Sequence, residues 1–72
     1  MQRTEYLVVL QVVGRVHGRE RERMYRALRR TPAEVDAAIT SLQRAGVVAV
    51  KGARVHPSPA LERLDELSLI GV

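Results

Sequence analysis

Two histidines, His17 and His56, come first, because imidazole is the commonest metal ligand and a frequent general base. The chain has no cysteine and places no carboxylate at metal-ligand spacing beside either histidine. Both therefore read as structural or solvent-facing side chains, and neither a metal site nor a disulfide framework is expected. Ser41, Ser58 and Ser68 have no His and Asp company in sequence from which a nucleophile, base and orienter could be assembled. The glycines of RVHGRE and VKGAR lack the spacing of a phosphate-binding loop. The expectation is a protein that is not an enzyme, with no cofactor and no small-molecule ligand.

What the residues do offer is guanidinium chemistry. The formal net charge is +4 and the pI about 10.7, which suits an anionic partner such as nucleic acid or a membrane surface, although solubility alone also accounts for modest positive charge. The excess is central. Arg15, Arg19, Arg21, Arg23, Arg26, Arg29, Arg30, Arg44, Lys51 and Arg54 stand against only Glu20, Glu22, Glu34 and Asp36, whereas the rest of the chain taken together is net acidic.

The elements that must position these charges are legible from punctuation and periodicity. At 72 residues the chain is expected to be one domain, near the lower size limit for a core held by packing alone. That core must be built from Val, Leu, Ile and Ala, since Phe and Trp are absent. RTEYLVVLQVVGR carries apolar residues at both helical and strand spacings. Its length and the lack of an internal turn favour a helix, with Tyr6, Val9, Leu10 and Val13 on one face and Val8 and Val12 on another. Burial on two sides is expected, the second side being another subunit. The run Tyr6 to Val13 is far short of the roughly 20 apolar residues of a membrane span, and a cytoplasmic location is expected.

Gly14 to Gly18 ends the first helix and leaves room for a short strand around Val16. RERERMYRAL then reads as a second helix with Met24, Ala27 and Leu28 inward and charged pairs elsewhere. Thr31, Pro32 and Glu34 form a capping-box pattern that starts a third helix at Pro32, and Gly46 suits its C-terminal cap. Arg29-Arg30-Thr31 is a connector short enough to force a helix-turn-helix corner. VVAV, the pair Lys51-Gly52 and ARVH read as a hairpin, closed by Pro57. Ser58 and Pro59 open a fourth helix with Leu61, Leu64 and Leu67 along one side, and LSLIGV continues the apolar character to the last residue.

The expected fold is therefore mainly α with a small β-hairpin, in the order helix, helix, turn, helix, hairpin, helix. From TPAEVDAAITSLQRAGVV through RVHPSPALERL the sequence resembles the small winged helix-turn-helix DNA-binding domains of bacterial regulators of the MarR and PadR kind, and the resemblance spans residues 1–72. At the turn, where that family carries a glycine and then an apolar residue, this chain has Arg29 and Arg30. Where the family tends to place a small residue it has Tyr25, which either reaches outward to phosphate or a partner, or covers the core edge.

On a helical wheel Val35, Ala38, Ile39 and Leu42 share the inner face of the third helix, and Ala33, Ala37, Thr40 and Arg44 lie opposite, with Ser41 on one flank. The resemblance implies that this outer stripe enters the major groove of double-stranded DNA. There Ala33 and Ala37 permit close approach, Thr40 and Ser41 meet donors or acceptors, and Arg44 brackets guanine. Arg19, Arg23, Arg29, Arg30, Lys51 and Arg54 are the expected phosphate contacts. Glu34 and Asp36 count against DNA, although both suit the start of a helix. A small transcriptional regulator or DNA-architectural factor, nucleoid-associated and homodimeric through the first helix and C-terminal segment, is the implied function. The alternative is a winged-helix module for protein contact without DNA binding.

Overall fold

The computed structural model describes residues 2–15 and 17–67. It is mainly helical with one small sheet, in the order α1 (Arg3–Val12), β1 (Arg19–Glu20), α2 (Arg21–Leu28), α3 (Pro32–Arg44), β2 (Val48–Lys51), β3 (Arg54–Pro57) and α4 (Pro59–Glu66). The sheet is antiparallel and three-stranded, ordered β1-β3-β2.

The first helix forms as its length suggests, but only one side of it is buried. Val8, Val9, Val12 and Val13 enter the core, Leu7 and Leu10 are half-buried, and Tyr6 is 51% exposed. A stripe at i, i+1, i+4 and i+5 is a single helical face, so the two expected faces merge into one, packed on α3 and β3.

The second helix starts at Arg21, not Arg19. Arg19 and Glu20 instead pair with Val55 and Arg54, and the Arg21 amide donates to the Ala53 carbonyl at 2.9 Å. Gly18 makes this possible: at φ +70 it lies so close to the Val55 carbonyl and the His56 ring that a β-carbon would collide with both. The strand expected around Val16 falls on a residue outside those described. Within α2, Met24 is fully buried while Tyr25 and Leu28 pack on the core edge, and Ala27, expected inward, is exposed. On the helical wheel Leu28 points between Met24 and Tyr25, and Ala27 falls on the other side of Met24, away from that face.

Thr31 caps α3, its hydroxyl accepting from the Glu34 amide at 3.2 Å; among the described residues the return bond of a full capping box is not made. The far end closes as a Schellman motif: Gly46, at φ +77, donates to the Gln43 carbonyl and Val47 donates to that of Leu42. In the hairpin Lys51 pairs with Arg54, so the turn residues are Gly52-Ala53 and not Lys51-Gly52. That register puts the positive φ of the turn on glycine, at 61°, rather than on lysine. Val48 opposite Pro57 and Val50 opposite Val55 turn one face of the hairpin inward. Ser58 caps α4, accepting from the Leu61 amide at 3.2 Å. Of the leucine row only Leu61 is buried; Leu64 and Leu67 are 43% and 52% exposed, and the remainder of LSLIGV lies outside the described residues.

Candidate nucleic-acid interface

Core packing decides which way α3 faces. Val35, Ala38, Ile39 and Leu42 are at most 5% exposed. Anchoring that side turns Ala33, Ala37, Thr40, Ser41 and Arg44 to the surface, where all five are exposed. Ala37, Thr40, Ser41 and Arg44 line one shallow concavity together with Asp36. Ala37 and Ser41 also border a second one, shared with Gln2, Thr4, Glu5 and Glu34. The two concavities differ in charge: Arg44 and Asp36 border the first, Glu5 and Glu34 border the second, and Ser41 lines both.

Asp36 is where sequence reasoning about charge fell short. Its Oδ1 accepts from Arg21 Nη1 at 2.9 Å and from the Tyr25 hydroxyl at 2.6 Å, joining α2 to α3. Burial works to raise the Asp36 carboxyl, but the Tyr25 hydroxyl and the Arg21 guanidinium outweigh it and hold the group below its ordinary value. Tyr25 is pushed up, first by burial and then by its bond to the carboxylate. The carboxylate that seemed to oppose an anionic partner is thus neutralised by Arg21, a residue not singled out in the sequence. Tyr25 covers the core edge and holds this contact rather than pointing freely outward. A tyrosine and an arginine one helical turn apart on α2, facing an acidic residue early in α3, is the signal that could have found it.

The expected phosphate contacts fall into separate settings. Arg29 is exposed and left-handed at φ 51, a conformation costing a non-glycine residue about 1–2 kcal/mol. Arg30, next to it, is half-buried, and Lys51 stands exposed at the end of β2. Arg19, Arg23 and Arg54 share one polar concavity with Arg15, Gly18 and Glu20. Arg54 is already engaged, donating to the His17 carbonyl at 3.1 Å and to Glu20 at 3.3 Å. Arg19, Arg23, Arg29, Arg30, Arg44 and Lys51 have no carboxylate within ion-pair distance among the described residues.

His17 is exposed and His56 half-buried against Gly18. Among the described residues no three His, Cys, Asp or Glu side chains gather where a metal could sit, and no helix is long and apolar enough to cross a membrane. Comparison of the chain with protein-family models, with curated proteins and with solved structures finds no match.

Proposed function

We propose that this chain is a winged helix-turn-helix protein that binds duplex DNA, with α3 in the major groove and the basic corner and hairpin on the phosphates, acting as a small transcriptional regulator or DNA-architectural factor. The observation that carries the reading is the outer face of α3: small residues, hydroxyls and Arg44 run along it, and the adjacent Asp36 has its charge satisfied from α2. The element order, with a strand between the first two helices and a hairpin after the third, supports the same reading.

Arg29 adds a physical argument. The left-handed turn position favours glycine, and an arginine held there despite the strain suits a role outside folding, such as phosphate contact. Ala33, Ala37, Thr40 and Arg44 are the base-facing set. Ser41 is the least favoured of the group, because Glu5 and Glu34 share its flank.

The test is fluorescence anisotropy of random-sequence duplex DNA across a salt series. Affinity should fall log-linearly with salt, since each phosphate contact releases counterions. Arg30→Ala should weaken all sequences alike, and Arg44→Ala should relax preference at one base position by about 1–3 kcal/mol. Absence of binding at low salt rejects the reading.

The exposed Tyr6, Leu64 and Leu67 favour a second use of the same fold, contact with protein. In the DNA reading that contact is a second copy, through α1 and the C-terminal segment, and the dimer would place half-sites about 34–36 Å apart. Light scattering at micromolar concentration returning a monomer removes the dimer. Assembly without any affinity for DNA makes protein contact the function.

A further inference from the structure

We infer that the notch bounded by Arg15, Arg19, Arg23 and Arg54 is a discrete site for a compact phosphate group carrying two or more negative charges, a phosphomonoester or pyrophosphate, rather than for an internal phosphodiester. This rests on the anion-binding role expected above for Arg19, Arg23 and Arg54, but gives them a terminal phosphate in place of the duplex backbone, and it adds Arg15.

Four arginines from the α1–β1 loop, β1, α2 and β3 line the notch, and among the described residues Glu20 is the one carboxylate lining it. Glu20 is already paired with Arg54, which leaves Arg15, Arg19 and Arg23 without a carboxylate partner among the described residues. Gathering like charges this closely is unfavourable in the absence of an anion. Here the backbone enforces it, because the tight approach of Gly18 to β3 and the bond from Arg54 to the His17 carbonyl fasten the loop bearing Arg15 to the strand bearing Arg54.

Charge and shape select the ligand. An internal phosphodiester offers one negative charge, whereas a phosphomonoester carries nearly two at neutral pH and meets the local surplus more fully. The notch, at about 190 Å³, is smaller than the roughly 300 Å³ at which ordinary small-molecule pockets begin, so it suits the phosphate group and not the body attached to it. On its far side Arg15 borders a cleft lined by Glu62, Asp65 and Glu66, which repels an anion continuing in that direction. A terminal phosphate satisfies that limit; a strand passing through does not.

The experiment is an amide and arginine side-chain NMR titration of the full chain with pyrophosphate, ionic strength held constant with sodium chloride. Saturating shifts concentrated at Gly18, Arg19, Glu20, Arg23 and Arg54 are expected. Replacing both Arg15 and Arg23 with alanine should weaken the affinity at least tenfold; both side chains are exposed, and an unchanged apo spectrum elsewhere verifies the fold. Shifts spread equally over Arg26, Arg29 and Arg44, or an unaltered affinity in the double variant, overturn the site. Competition then separates the sources. Displacement of pyrophosphate only by a 5′-phosphorylated duplex assigns a nucleic-acid end, and displacement by neither duplex assigns a free phosphate ligand, both upholding the site. Equal displacement by phosphorylated and unphosphorylated duplexes overturns the preference for a terminal group. Duplex affinity without pyrophosphate binding defeats the notch alone, while the reverse result defeats the duplex reading alone.

Discussion

Helices α3 and α4 begin with the same device and end in different surroundings. Each has a hydroxyl cap followed by proline, and in each the hydroxyl accepts from the amide three residues on at 3.2 Å. Yet α3 buries Val35, Ala38, Ile39 and Leu42, whereas α4 buries Leu61 and leaves Leu64 and Leu67 exposed. A start signal establishes that a helix forms and where, because it satisfies orphan amides locally. It says nothing of how much of the helix is covered, which depends on what packs beside it. The outward side of α3 carries small residues, hydroxyls and Arg44; α4 and its cap expose Leu64 and Leu67 among the charged Glu62, Arg63 and Glu66.

The largest effect that sharpens this contrast comes from truncating a leucine or isoleucine on each helix. Ile39→Ala should cost about 2–5 kcal/mol, enough to unfold a marginal small domain, and urea denaturation reads it directly. Leu64→Ala should change monomer stability by only about 0.5 kcal/mol or less. A large loss from Leu64→Ala at low protein concentration would show that the two helices are buried alike.

The caps come next. Thr31→Ala should cost about 0.5–2 kcal/mol, and Ser58→Ala should cost more, because Ser58 is 7% exposed and its removal leaves a buried amide without a partner or nearby water. Thermal melts of the two variants compare them, and equal losses would argue that burial adds nothing to the α4 cap.

A smaller effect tests the α2–α3 tether, for which α4 has no counterpart from α2. Asp36→Asn should destabilise by about 1 kcal/mol, discounted for screening because Asp36 is 42% and Arg21 27% exposed. The folded Asp36 carboxyl titrates below its ordinary value, so its contribution is present above the unfolded pKa and is lost as pH falls through the folded one. Stability measured from about pH 5 downward should therefore fall less steeply in the Asn variant. Parallel acid limbs would remove Asp36 from the explanation.

The smallest effect has the opposite sign. Arg29→Gly should stabilise by about 0.5–1 kcal/mol by relieving the left-handed strain, while reducing duplex affinity and the slope of its salt dependence. Stabilisation without any loss of affinity would leave the strained arginine unexplained by DNA.

Much of this molecule was legible along the chain. The bounds of α3, its inner and outer faces and both proline-assisted caps follow from local rules, since caps and helical periodicity involve neighbours within a turn or two. Strand β1 was not legible, because Arg19 and Glu20 have no strand-like pattern and pair only by virtue of β3 arriving beside them. The outward position of Ala27 was missed for the same reason. An apolar side chain can occupy several helix faces in a sequence, and neighbouring elements select one.

The site divides along the same line. Residue types and spacing alone determined that the centre of the chain is basic and that α3 carries a small, hydroxyl-bearing outer stripe, since these depend only on composition and on periodicity within one helix. Only the tertiary structure decided that Asp36 is paired with Arg21 and hydrogen-bonded by Tyr25, that Arg54 is already engaged, and that Arg15, Arg19 and Arg23 meet around one notch. Those facts join residues from different elements, and electrostatic interaction depends on distance through space, which chain order does not supply.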